Sequence, residues 1–304
     1  MKKIKHNGAT WLQLLCPKGD DLDLLKKAHG FHSITLGELR KPSLRAKVER
    51  YKDYIYMVLH FPIYNEKERT VEPGEIDFLL TKDTLTLATI RYNKMPAIKE
   101  FEEKTKTDKK LQEKYFKDPV RLLYYILSAN FEFSMRQLEH VRENIDKAEK
   151  AIYGGHEKKM LEEIAFLMRD VANFNRIIKF HHDVLESLKK EATKLFGVKY
   201  RPYFANLEGQ AEQVRHVLDT HMEMVRILHD TNETLLSAKT NEAIKLLSVI
   251  AVFTFPLTLL ATILGLDTRI KFIVGTQHDL WIIIGSFIVI ALTMYAIFKR
   301  KDWI

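Results

Sequence analysis

A chain of 304 residues with 46% hydrophobic content has room for one large domain or two, and it is too apolar to be disordered. The single cysteine, Cys16, excludes a disulfide framework and a multi-cysteine metal site, and 12 Gly with 8 Pro exclude collagen-like or low-complexity material. The excess of 48 Lys and Arg over 40 Asp and Glu gives +8, which suits an anionic membrane surface; nucleic acid is disfavoured because no basic cluster is interleaved with aromatics.

The N-terminal stretch MKKIKHNGATWLQLLCPKGD has basic residues but no sustained apolar core, so it does not read as a signal peptide. Residues 1–117 read as a mixed α/β unit. The runs 54–60 (YIYMVLH), 76–80 (IDFLL) and 84–90 (TLTLATI) are short, β-branched or aromatic, and bounded by turn formers. Lys82-Asp83 is the expected hairpin connection. This stretch carries no Gly-rich phosphate loop, zinc spacing or catalytic triad. His29 and His32 lack the further His or Cys that a metal site requires. His181 and His182 are neighbours whose side chains point about 100° apart on a helix.

Residues 118–200 predict two long antiparallel helices broken at Tyr153-Gly154-Gly155-His156, the first opened by Asp118 as N-cap and Pro119 at the first helical position. Their charges, among them Glu139, Arg142, Glu143, Lys147, Glu162 and Glu163, fit a solvated face, with a metal-attracting face as the alternative. After Arg201-Pro202-Tyr203 the apolar positions Leu207, Ala211, Val214, Leu218, Val225, Leu228 and Leu235 alternate by four and three, with His221 and Asn232 in two further seam places. Such a seam calls for self-association or for another long helix to pack against. With no proline or helix-ending glycine between Ala211 and Ala251, the stretch 207–266 predicts one helix of about 90 Å, and an unbroken seam entering a bilayer suggests an oligomer around a shared axis.

Mean hydropathy over the chain is −0.20, the value of a water-soluble protein. The average hides two segments without a charge, the 21 residues 246–266 and the 19 residues 280–298, each about one hydrocarbon core long. Pro256 inside the first is better tolerated in a membrane helix than in a soluble one. Lys239 and Lys245 precede the first span and Lys299, Arg300 and Lys301 follow the second, so both chain ends are expected on the cytoplasmic side of a plasma or inner membrane. Residues 201–245 become a stalk, 267–279 the extracytoplasmic loop and 299–304 a basic tail.

Stepping by sevens from Asn241 gives Ser248, Phe255 and Thr262, and the intermediate steps give Ile244, Ala251 and Thr258. This polar stripe on one face is either back-bonded Ser and Thr of an ordinary membrane helix or the lining of a pore. The stalk beneath it and Asp267 at its end favour a pore, because carboxylates repeated around an axis concentrate cations.

The order of parts resembles the CorA-type divalent-cation channels, as do Pro202-Tyr203-Phe204, Thr240-Asn241-Glu242-Ala243-Ile244-Lys245, Phe255-Pro256-Leu257-Thr258, the tail Lys299-Arg300-Lys301-Asp302-Trp303-Ile304 and the segment 41–62 (KPSLRAKVERYKDYIYMVLHFP). The resemblance implies an α+β cytosolic domain of α/β/α sandwich character, a long stalk helix, a two-helix transmembrane hairpin and a funnel-shaped homopentamer. It also implies passage of Mg²⁺, with Co²⁺, Ni²⁺ or Zn²⁺ as further ions, no enzymatic chemistry and no cofactor beyond the ions themselves. Matched by position, the implied pore is lined by Asn241, Ile244, Leu247, Phe255, Thr258 and Thr262, and Asp230 falls where some members carry an acidic ring. Leu247 and Ser248 thus compete for one place.

Two departures matter. The family's Gly-Met-Asn signature reads Gly265-Leu266-Asp267 here, replacing a ring of neutral amides by carboxylates that bind cations more tightly and discriminate less by hydration. Asn206 stands where some members hold a regulatory Mg²⁺ with an acid, so closure by cytosolic Mg²⁺ at that place is not expected. The alternatives are a proton-coupled Zn²⁺ transporter of the same superfamily and a non-conducting membrane-anchored cation sensor or scaffold.

Overall fold

A computed structural model describes residues 1–6, 8–43, 45–65, 68–89, 95–265 and 279–300. They divide into two compact units, 1–230 and 231–304. The first is built on a sheet with strands β1 (Lys2–His6), β2 (Ala9–Leu15), β3 (Lys47–Arg50), β4 (Ile55–Asn65), β5 (Thr70–Leu80) and β6 (Thr84–Thr89) in the order β1-β2-β6-β5-β4-β3. The β2–β6 pair is parallel and the others antiparallel. In β2 successive residues from Trp11 to Leu14 are buried, as expected of a strand covered on both faces.

One face carries Leu12, Leu14, Tyr56, Val58, Leu79 and Ala88, packed with Leu22 and Leu25 of α1 (Gly19–His29) and Leu36 of α2 (Ser33–Glu38). The other face meets α3 (Pro96–Thr107) and α5 (Pro119–Tyr153): Trp11 stands edge-on to Phe101 at 5.7 Å and Phe61 to Phe131 at 5.5 Å. A short α4 (Lys109–Tyr115) links these two helices. The result is a three-layered α/β/α sandwich, the fold class the resemblance implied. Asp118 caps α5 through the Arg121 N–H at 2.9 Å, with Pro119 in the first turn.

Two expectations needed correction. The strand expected over 54–60 runs on to Asn65, through Pro62 paired with Pro73. A proline is tolerated there because β3 pairs only Ile55 to Val58 and β6 pairs only from Ile76 onward, so both prolines sit beyond the flanking ladders. Ile90, the expected end of the last strand, lies outside the described residues.

The second long helix after the Gly154-Gly155 break is instead two helices, α6 (Glu157–Ile178) and α7 (His181–Phe196). The chain turns at Lys179-Phe180, where no Gly or Pro marks the sequence. The turn brings His181 beneath the sheet, where its Nε2–H donates to the His60 carbonyl at 2.7 Å and its ring packs on Phe61 and Phe131. Helix α7 ends at Gly197, whose φ of 105° a side-chain-bearing residue rarely adopts. A short 3₁₀ turn, Val198–Tyr200, then leads into α8 (Arg201–Gly265), a single helix of 65 residues.

In the first unit the α8 seam is filled by the chain's own helices. Leu207, Ala211, Val214, Leu218, His221, Val225 and Leu228 are all buried within one chain. Tyr124 donates to Asn206 Oδ1 at 2.9 Å and Gln210 to Ser128 Oγ at 3.2 Å, both from α5, while Lys189 of α7 pairs with Glu208 at 2.6 Å. Of the two partners the 4,3 spacing allowed, this stretch takes another long helix of the same chain, so its seam is not a contact between copies.

The second unit holds the upper part of α8 and α9 (Asp279–Arg300). Phe253 of α8 lies 5.5 Å from Phe298 of α9, and Val249 and Phe298 are buried. Among the described residues one helix, Val198–Leu259, is long and apolar enough to cross a membrane by length and composition, and only 6% of its apolar window is buried inside the chain. The second expected span lies within α9, whose 22 residues measure about 33 Å.

Candidate functional site

At about 100° per residue, Val249 and Phe253 define the α8 face turned to α9. The eight expected lining residues Asn241, Ile244, Leu247, Ser248, Ala251, Phe255, Thr258 and Thr262 all fall within about 60° of the direction opposite Phe253. Leu247 and Ser248 flank that direction on either side. All but the half-buried Ser248 are exposed in the single chain, Phe255 most of all at 78%. The stripe found by counting sevens is thus one face of α8, left open by α9.

The hydroxyls on this helix share one geometry. Ser248 donates to the Ile244 carbonyl at 2.8 Å, Thr258 to Thr254 at 2.8 Å and Thr262 to Thr258 at 2.7 Å; Thr254, off the stripe, donates to Ile250 at 2.8 Å. Each spends its only proton on its own helix and retains oxygen lone pairs as acceptors. Pro256, inside the helix, has no N–H to offer the carbonyl four residues before it. On this face Ile244, Leu247, Phe255 and Leu259 are exposed, as are Trp281, Ile288, Val289 and Leu292 on α9. A contiguous apolar surface of this kind marks contact with lipid or other chains.

Gly265 is the last residue of α8. Leu266 and Asp267 of the expected mouth lie outside the described residues, as does the rest of the inter-span loop up to residue 278 and the tail from 301. Asp230 is exposed, in the first unit. The Asn206 carbonyl oxygen is already engaged by the Tyr124 hydroxyl and by Gln210 Nε2 at 2.8 Å. His29 stacks on Phe31 at 5.4 Å, and His32 accepts the Ile34 N–H at the start of α2. Among the described residues no three His, Cys, Asp or Glu side chains converge in a group that could hold a metal.

A buried acidic cluster on the sheet is absent from the sequence expectations. Asp77 of β5 is fully buried, accepts the Tyr56 hydroxyl at 2.8 Å on Oδ1, and has no partner for Oδ2. Burial, with Glu75 and Glu38 nearby, pushes its carboxyl up to about 8, against the pull of Tyr56 and Lys47. Glu75 accepts the Ser43 N–H, and Lys47 binds Glu38 at 2.6 Å. The sequence signal was the polar Asp inside the strand run 76–80.

An α/β/α unit joined to an apolar helical hairpin is the plan of a membrane-anchored protein. A family model described as CorA-like Mg²⁺ transporter protein matches residues 6–300, and the chain belongs to that family. It is accordingly one of ion transporters, not enzymes. The chain is 24% identical over 296 residues to the cobalt/magnesium transport protein CorA of Thermotoga maritima, covering 97% of this chain and 83% of that protein. It is also 24% identical to the protein of the same name from Methanocaldococcus jannaschii, over 97% and 91%. Among solved structures, the complete CorA magnesium transporter from M. jannaschii superposes with a TM-score of 0.85 at 20% identity, covering all of this chain and 95% of that one. The ZntB cytoplasmic domain from Vibrio parahaemolyticus gives 0.61 at 14%, over 77% and 90%. These superpositions are likenesses of fold.

Proposed function

We propose that copies of this chain, five by the family resemblance, surround an axis and pass hydrated divalent cations, Mg²⁺ first, through a lining of Asn241, Ile244, Leu247 or Ser248, Ala251, Phe255, Thr258 and Thr262. Residues 1–245 and 299–304 lie in the cytoplasm, and 246–266 and 280–298 cross the inner or plasma membrane. The reading rests on the α8 face opposite α9: polar positions alternate there with exposed apolar ones, and its hydroxyls present lone pairs. Mg²⁺ sheds its waters reluctantly, so acceptor oxygens that bind the outer face of its hydration shell suit it. Phe255 is the constriction, since apolar rings around an axis gate by dewetting. Asp267 forms a carboxylate ring at the mouth, Asp230 is a second acidic position on the cytoplasmic side, and the membrane potential drives entry at about 2.3 kcal/mol per charge per 100 mV.

The test is flux of Mg²⁺, Co²⁺, Ni²⁺ and Zn²⁺ into liposomes carrying the purified chain, with and without a proton gradient. Potential-driven Mg²⁺ entry supports the channel. Zn²⁺ flux that requires the proton gradient would replace it with a zinc carrier, and pentamers that bind metal yet pass none would replace it with a sensor.

A further inference from the structure

The first unit contains a cleft that no transport step uses. It lies between α5, α6 and the β4–β5 hairpin and has two chambers, of about 380 and 360 Å³, which share Tyr64, Asn144, Leu167 and Asp170 as walls. Each chamber falls within the range of small-molecule pockets. They differ in charge. The first is edged by Arg69, Lys147 and Glu163. The second has three aromatic side chains, Tyr64, Phe133 and Phe174, together with His140, and no Lys or Arg in its lining. Its one acid is Asp170.

Asp170 sits in the floor with its side chain 14% exposed. Oδ1 is buried without a hydrogen-bond partner, and the nearest cation is Arg169 Nε at 3.9 Å. Arg169 is directed elsewhere: its guanidinium lies over Phe166, 5.0 Å from the ring centre, and bonds the Arg69 carbonyl. Burial raises the Asp170 carboxyl above the ordinary range despite Arg169, Arg69, the Val71 N–H and the Thr70 hydroxyl. An unmade bond on a desolvated carboxylate is costly and is relieved by a positively charged donor.

A carboxylate at the floor of an aromatic-walled chamber is the chemistry that recognises an organic ammonium. Aromatic rings attract a cation, as Phe133 already attracts the Arg136 guanidinium 5.4 Å from its ring centre, and the acid neutralises it. A bare divalent ion does not fit, since Asp170 is the one carboxylate in the lining and its polar neighbours Gln137 and Asn144 are neutral amides. From this geometry we infer that the chamber bounded by Tyr64, Phe133, Phe174 and Asp170 binds a small organic monocation with an apolar body, as a site separate from the ion path. The inference is independent of whether the chain conducts.

Saturation-transfer NMR on the full chain in detergent tests it, with N,N-dimethylbenzylammonium, which carries one N–H donor, as the probe and benzyl alcohol and benzoate as neutral and anionic counterparts. We expect saturation of the N-methyl protons in the parent and weaker transfer to benzyl alcohol and benzoate. Two variants separate the causes. Asp170→Asn keeps an acceptor for the Val71 N–H and removes the charge; Val141→Trp leaves the charge and fills the chamber. Each should weaken the apparent Kd at least about tenfold, the usual scale for losing a buried ionic partner or a binding volume. Equal saturation by all three probes, or unchanged affinity in either variant with native circular dichroism, overturns the proposal. So does the absence of saturation in the parent.

Discussion

Replacing Asp77 by Asn should abolish the fall in stability of the α/β/α unit as pH rises above neutrality. In the unfolded chain this carboxyl releases its proton near the ordinary Asp value of about 3.9. In the folded chain it does so only near 8. Between those limits the folded state holds the extra proton, so stability falls as pH rises through the window. A displacement of about four units, at 1.36 kcal/mol each, sets an upper limit on the order of 5 kcal/mol for the whole loss. His181 acts in the opposite sense: burial lowers it to about 4, so its share of stability is lost as pH falls from 6.5. The two slopes offset one another below about pH 6.5, and the Asp77 slope stands alone from there to about 8.

Asn at position 77 would still accept the Tyr56 hydroxyl but would place an NH₂ where Oδ2 has no partner, at a cost of about 1–3 kcal/mol. Asp77→Asn should therefore be less stable than the parent near pH 4 and more stable near pH 8, with the curves crossing between. Guanidinium unfolding of the full chain in detergent, followed by tryptophan fluorescence at half-unit steps of pH, reads this directly; Trp11 reports from the core of the same sheet. Parallel curves for parent and variant from pH 5 to 8 would refute a protonated Asp77.

Three further outcomes bear on the ion path and its support. Phe255→Ala should leak, raising Mg²⁺ flux into liposomes at zero applied potential, and unchanged flux counts against Phe255 as the constriction. Asp267→Asn should sharpen the preference for Mg²⁺ over Zn²⁺ and weaken block by trace Zn²⁺; the same selectivity in parent and variant removes the carboxylate ring from the account. Leu218→Ala, at a fully buried seam position, should cost about 2–5 kcal/mol in unfolding and leave the oligomeric mass unchanged, because its contacts are within one chain; a shift to monomers in light scattering contradicts the intrachain seam.

The two apolar helical stretches were legible because charge-free runs of this length leave few other readings, and α8 because nothing in its sequence stops a helix. The N-cap at Asp118 and the Lys82-Asp83 turn were legible for local reasons, since one side chain or two residues suffice to make them. What escaped had no local mark. Strand β1 is a polar edge, KKIKH, whose pairing with β2 is visible only in the fold. The α6–α7 turn is fixed by His181 reaching the His60 carbonyl more than a hundred residues away in sequence. Asp170 looks like an ordinary surface acid until the helices close over it, and Asp77 is marked only by its place inside the apolar run 76–80.

One heptad rhythm in α8 therefore carries two kinds of contact. In the first unit its apolar positions are already covered, by α5 and α7, and the repeat says nothing about copies of the chain. In the second unit α9 covers one face only, leaving Ile244, Leu247, Phe255 and Leu259 open. Lipid alone would accept those residues, and back-bonded threonines too, since their protons are spent on the helix. Asn241 does not separate the two readings, because it stands before the charge-free run 246–266, where water reaches its amide. A shared axis therefore rests on the proposed lining by Ser248, Thr258 and Thr262, and flux through the Phe255→Ala chain tests it.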